Sequence, residues 1–184
     1  MAGQIALTME RATSILDDLL ELTRTTFGSE IPLRRTQMDM GVLGNQIVEE
    51  MRSLSDAKPI EITVTGETGG EWDQARLGQV FSNLIGNAVQ YSPAGSTIKL
   101  EIIGAPDNVS ISVHNDGDAI PPDEQNSIFK PLTRGLPRGT DNRSTNLGLG
   151  LFITHKIVTA HHGTISLKSD SKDGTTFTVT LPRN

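Results

Sequence analysis

Residues Asp73 to Tyr91 constrain this chain more than any other segment, because they read as one long amphipathic helix with an unusual wet face. At about 100° per residue, Leu77, Phe81, Leu84, Ile85 and Ala88 fall on one side. Arg76, Gln79, Asn83, Asn87 and Gln90 fall on the other, within a stripe roughly 80° wide. Asp73 stands where an N-cap belongs, and Pro93-Ala94-Gly95 supplies the stop. A polar stripe on such a helix is ordinarily only its solvated face, but exposed helix faces favour Glu and Lys over Asn, a poor helix former. Two Asn one turn apart can instead offer neutral carbonyl oxygens to a hard cation that is itself held by phosphates.

The remaining segments pack around that helix. Leu33–Asp39 reads as a short strand and Gly41–Leu54 as a helix with Val42, Leu43, Ile47, Val48 and Met51 on one face. Ile60–Val64 alternates as a strand does, and the stretch Gly66 to Gly70 reads as a loop. Thr97–Ile103 and Val109–Val113 form two strands about the turn Ala105-Pro106-Asp107-Asn108, with a short helix expected over Pro122–Phe129. Leu149–His161 reads as a helix, followed by strands Thr164–Lys168 and Thr175–Leu181 about Asp173-Gly174. Helices and strands are mixed, adjacent strands pair in sequence, and nothing repeats at a fixed period. The expected class is α+β, a two-layer sandwich of helices on a mixed β-sheet, plus an N-terminal helix. That added helix spans about Ile5 to Phe27, where Ile5, Met9, Ala12, Leu16 and Leu19 form a heptad seam closed by Gly28. A single helix cannot bury such a seam against itself, so it packs on the following domain or joins other helices.

Charge and composition narrow the function classes. The 184 residues carry 16 Lys+Arg against 22 Asp+Glu, a net charge of −6, which disfavours general nucleic-acid binding. Residues 130–143 run against this trend: Lys130, Arg134, Arg138 and Arg143 face Asp141 alone, a basic loop suited to a small polyanion. With no cysteine, disulfides, thiolate zinc sites and Cys nucleophiles are ruled out. No apolar run approaches the ~18 residues that span a bilayer, and no secretory signal is evident, so a cytoplasmic location is the expectation.

Two further motifs carry chemistry. Asn115-Asp116-Gly117-Asp118-Ala119-Ile120-Pro121 follows a β-branched strand directly. Asn146-Leu147-Gly148-Leu149-Gly150-Leu151 opens the last helix, where glycines let backbone N–H groups approach a phosphate at a helix N-terminus. Neither a P-loop nor a dinucleotide fingerprint is present.

Taken in order, these segments resemble the ATP-binding domain shared by sensor histidine kinases, DNA gyrase, Hsp90 and MutL, and among these the histidine kinase branch. The resemblance covers about residues 30–184: an N box from Arg76 to Tyr91, a G1 box from Asn115 to Pro121, an F box at Ile128-Phe129-Lys130-Pro131 and a G2 box at Gly148-Leu149-Gly150-Leu151. It implies ATP and Mg²⁺ as ligands. By it, Asn87 would bind Mg²⁺, Asn83 would support metal and phosphates, Tyr91 would stack on adenine, and Arg134 would reach the γ-phosphate. Gly117, Ile120 and the four G2 residues would complete the nucleotide site. Asn115 stands where the family usually has an Asp that accepts from the adenine amino group, Ala119 replaces a glycine, and Gln90 replaces a frequent basic residue. The resemblance also implies that residues 1–28 are the second helix of a dimerisation and phosphoacceptor hairpin, and residues 29–184 the catalytic domain.

The implied function is transfer of the ATP γ-phosphoryl group to a histidine outside this chain, with the acceptor hairpin and a response regulator receiver domain as partners. His114, His155, His161 and His162 lack the expected acceptor context and read as structural or surface residues. Homodimerisation through the N-terminal helix is a further implication. Three alternatives stay open: an ATP hydrolase of the same fold, a Ser/Thr kinase built on it, and a regulatory module that only binds nucleotide. Hydrolysis requires a carboxylate to orient water, and Asn83 cannot act as a general base.

Overall fold

A computed structural model describes residues 31–53, 58–125, 127–133 and 148–183, so the expected N-terminal helix lies outside the described residues. Asp73 begins the central helix as its sequence suggests. It is extended at φ −88°, ψ 103°, and its side chain accepts from the Arg76 N–H at 3.1 Å. In order along the chain come β1 (Thr36–Asp39), α1 (Met40–Ser53), β2 (Ile60–Thr65), β3 (Gly69–Trp72), α2 (Gln74–Tyr91), β4 (Ile98–Gly104) and β5 (Asn108–Asn115). They are followed by α3 (Pro122–Gln125), α4 (Gly150–Ala160), β6 (Thr164–Asp170) and β7 (Gly174–Pro182).

Five strands form one sheet in the order β2-β4-β5-β7-β6. Strands β2 and β4 run parallel and every other neighbour is antiparallel, so the sheet is mixed as expected. Helices α1, α2 and α4 cover one face. The apolar side of α2 delivers Leu77, Val80, Phe81, Leu84, Ile85 and Ala88 to the core. Each large one contributes roughly 1.5–3 kcal/mol through burial. The facing rungs of β5 and β7 pair Val109 with Leu181, Ile111 with Val179 and Val113 with Phe177, all buried. The opposite sheet face is polar, with Ser112 Oγ 3.0 Å from Thr178 Oγ1 across the same two strands.

Apart from shifts of one or two residues at element ends, the structure departs from the sequence reading at three places. The glycine-rich stretch taken as a loop contributes β3, which pairs antiparallel with β1. It holds through Trp72, buried with its indole N–H donating to the Pro182 carbonyl at 2.7 Å. Gly69-Gly70 shows no apolar alternation, and a Cβ on Gly70 would sit 2.2 Å from the Trp72 ring. The first strand begins at Thr36 rather than Leu33. The helix at Pro122 ends at Gln125, after which Ser127–Phe129 continue as turns.

Candidate active site

The inner row of the sheet changes character at its last rung. After three apolar pairs, β5 and β7 end on Asn115 opposite Thr175, both polar and both buried. Beside them, Gly117 approaches the end of α2 so closely that a Cβ there would lie 2.6 Å from the Tyr91 carbonyl oxygen and 3.0 Å from Asn115 Nδ2. Asn115, Gly117 and Tyr91 therefore meet at one end of the helical layer. Tyr91 is 61% exposed at this end of the helix.

The loop after Asn115 is fastened from two sides. Ile120 donates its N–H to Ser169 Oγ at 2.9 Å, and its carbonyl accepts from Gln125 Nε2 at 2.8 Å. Gln125 also donates to the Ser169 carbonyl at 3.2 Å, and Ser169 Oγ lies 2.7 Å from Thr175 Oγ1. Ser169, Thr175 and Gln125 escaped the sequence reading. A signal existed for Thr175: it occupies the core-facing side of the alternation Thr175-x-Phe177-x-Val179-x-Leu181, where a polar residue is out of place. Lys58 was missed as well. Its ammonium donates to the carbonyls of Val89, at 2.7 Å, and Ser92, and so caps the end of α2 that carries Gln90 and Tyr91. Burial holds the Lys58 pKa below its usual value.

The two asparagines of the stripe differ. Asn83 Nδ2 donates to the Gly150 carbonyl at 3.1 Å and to Thr154 Oγ1 at 3.4 Å, which ties α2 to the start of α4. Its amide nitrogen is committed there and its oxygen faces Gly150, where a Cβ would come within 3.3 Å. Among the described residues no hydrogen bond reaches the half-buried side chain of Asn87, which leaves its oxygen available to a ligand. Gln90 is exposed on the same helix. Gly148 takes φ +70°, a conformation suited to glycine, and Leu149 is buried at the N-cap without any side-chain cap. The first N–H groups of α4, at Gly150 and Leu151 onward, thus have no capping side chain beside the Asn83 amide. Phe129 of the F box packs against His155, with centroids 5.8 Å apart, and edge-on against Phe177 at 6.4 Å. Arg134 and most of the basic loop lie outside the described residues.

Of the histidines, His161 is buried, with Nε2 accepting from the Asp73 N–H at 3.1 Å and Nδ1 donating to the Ile157 carbonyl at 2.8 Å. Burial, above all, pushes its pKa below the ordinary value. His114 is engaged by Thr176 Oγ1 at 3.0 Å and Asp116 Oδ1 at 3.4 Å. Among the described residues no group of three His, Asp or Glu side chains could hold a metal, and no helix is long and apolar enough to cross a membrane.

Residues 72–184 match the family described as histidine kinase-, DNA gyrase B- and HSP90-like ATPase, and the chain belongs to that family. It is 32% identical over 179 residues to the adaptive-response sensory kinase SasA of Synechococcus sp. strain JA-3-3Ab, covering 95% of this chain and 46% of that protein. With the probable sensor histidine kinase TcrY of Mycobacterium tuberculosis strain H37Rv it shares 32% over 187 residues, covering 98% and 37%. The chain thus spans less than half the length of these curated relatives. Among solved structures, the mycobacterial sensor histidine kinase MprB superposes with a TM-score of 0.70 at 25% identity, covering 81% of this chain and 97% of that one. Full-length ShkA in complex with AMPPNP gives 0.76 at 25% identity, covering 94% and 36%.

Proposed function

We propose that this chain is the ATP-binding catalytic portion of a two-component sensor histidine kinase, and that it transfers the ATP γ-phosphoryl group to a histidine of a partner hairpin. The observation that carries this reading is the state of Asn83. Its amide is tethered across to α4 and has no basic lone pair for water, so the residue positions phosphates and does not activate a hydrolytic nucleophile. The likeness to sensor kinases supports the same reading.

In this scheme Tyr91 stacks on the base, Asn115 hydrogen-bonds its edge, and Gly117 and the anchored Ile120 shape the pocket beside it. The backbone N–H groups of Gly148, Leu149, Gly150 and Leu151 meet the phosphates at the start of α4. Asn87 offers an amide oxygen, a donor that suits Mg²⁺ held chiefly by phosphates, and Asn83 supports metal and phosphates one turn away. When bound, the metal neutralises phosphate charge. Arg134 is assigned to the γ-phosphate. The acceptor imidazole lone pair attacks the γ-phosphorus, the bond to the β-phosphate oxygen breaks, and ADP leaves. Positioning and charge neutralisation supply the catalysis.

His161 cannot be the acceptor, since both of its nitrogens are engaged in the core. Residues 1–28 are assigned as one helix of the dimerisation hairpin, with a receiver domain as the downstream partner. Incubation with γ-labelled ATP and a supplied acceptor hairpin tests the proposal. Acid-labile label is expected on the hairpin and none on this chain. Release of labelled inorganic phosphate with no acceptor labelling overturns the transfer reading in favour of hydrolysis.

A further inference from the structure

The buried rung formed by Asn115 and Thr175 has a property that a purely accepting site lacks. Asn115 is only 4% exposed, and among the described residues no hydrogen bond reaches its side-chain amide. The Asn115 oxygen and nitrogen are nevertheless not among the enclosed polar atoms left without a partner, so the amide opens outward from the layer. Here the amide sits beside Gly117 and the end of α2, at the mouth of the inner layer, and its unmet capacity points to a ligand edge. That capacity is two-sided: the carbonyl accepts, the NH₂ donates, and rotating the amide by half a turn exchanges them. Its neighbour behaves alike. Ser169 Oγ accepts from the Ile120 N–H and shares a proton with Thr175 Oγ1, and either hydroxyl can be the donor. Thr175 can therefore present a donor or a lone pair on the same face as Asn115.

The complementary edges of purines differ in just this sense. A 6-aminopurine presents an N–H donor at the 6-position and an acceptor at N1, whereas a 6-oxopurine presents an acceptor at the 6-position and a donor at N1. A carboxylate in this place would only accept, and would reject the oxo group. We propose that the base pocket takes 6-oxopurine nucleoside triphosphates as well as ATP, with Asn115 as the residue that sets this breadth. The inference rests on the nucleotide-site reading given above.

Titration calorimetry of the whole chain with MgATP and with MgITP, whose base lacks the 2-amino group, tests it directly. The MgITP dissociation constant is expected within about tenfold of that for MgATP, and Asn115→Asp is expected to widen the ratio by about tenfold or more. Tight MgATP binding with MgITP weaker by more than that margin overturns the proposal and leaves the ATP site standing. So does an Asn115→Asp variant that folds, binds MgATP and keeps the parental ratio. Failure of the parent chain to bind either nucleotide overturns the site reading and this inference with it. The parent comparison decides the matter even where the variant does not fold.

Discussion

The two ends of α2 are built for opposite purposes. At its start Asp73 is held by the protein three times over: Oδ1 accepts from Arg76 N–H, Oδ2 accepts from Arg34 N–H at 2.7 Å, and the Asp73 N–H donates to His161. Asp73 and His161 are buried. At the other end, Asn87 has no hydrogen-bonding partner for its side chain among the described residues and Tyr91 is mostly exposed. Lys58 holds the carbonyls of Val89 and Ser92 there. One end anchors the helix in the core and the other carries the Asn87 amide and the exposed Tyr91, so substitutions at the two ends should separate stability from binding.

Asp73→Ala should produce the largest effect, a loss of about 2 kcal/mol in stability, because a helix cap and the hydrogen bond from the Arg34 N–H disappear together. Chemical denaturation measures it, and the nucleotide affinity of the folded fraction should change little. His161 makes the same end sensitive to pH. Burial holds its pKa below the ordinary value near 6.5, with Arg35 and His162 acting the same way and Asp73 and the Ile157 carbonyl opposing. The unfolded chain therefore takes up the proton first. The stability contribution is intact above about pH 6.5 and declines as pH falls toward the folded-state pKa, by at most about 1.4 kcal/mol per pH unit. Replacing His161 with Gln should flatten that portion of a stability profile recorded by denaturant titration.

At the far end, Asn87→Ala should leave stability within about 0.5 kcal/mol of the parent. It should weaken MgATP binding by roughly tenfold or more while affecting metal-free ATP much less. Equal MgATP affinities in calorimetry would remove Asn87 from the metal site. The smallest change belongs to Lys58→Met, which deletes a cation at the helix C-terminus and should cost about 0.3–1 kcal/mol. A larger loss in thermal or chemical denaturation would show that Lys58 does more than cap the helix.

The central helix, its Asp73 cap and its Asn-rich stripe were legible because they depend on spacing within one turn or two, which a linear sequence displays directly. The G1 and G2 glycines were legible for the same reason. Strand β3 was not, since Gly69-Gly70-Glu71-Trp72 carries no apolar alternation and becomes a strand only through pairing with β1 and burial of Trp72 under the end of β7. The links Asp73–His161, Ile120–Ser169 and Lys58–Val89 join residues 88, 49 and 31 positions apart, and no local pattern announces them. Local chemistry thus determined which polar side chains line this face of α2 and the loops beside it. The sheet register and helix packing decided which of them keep a free donor or acceptor, because a polar group is available to a ligand only where the fold has left it without a partner.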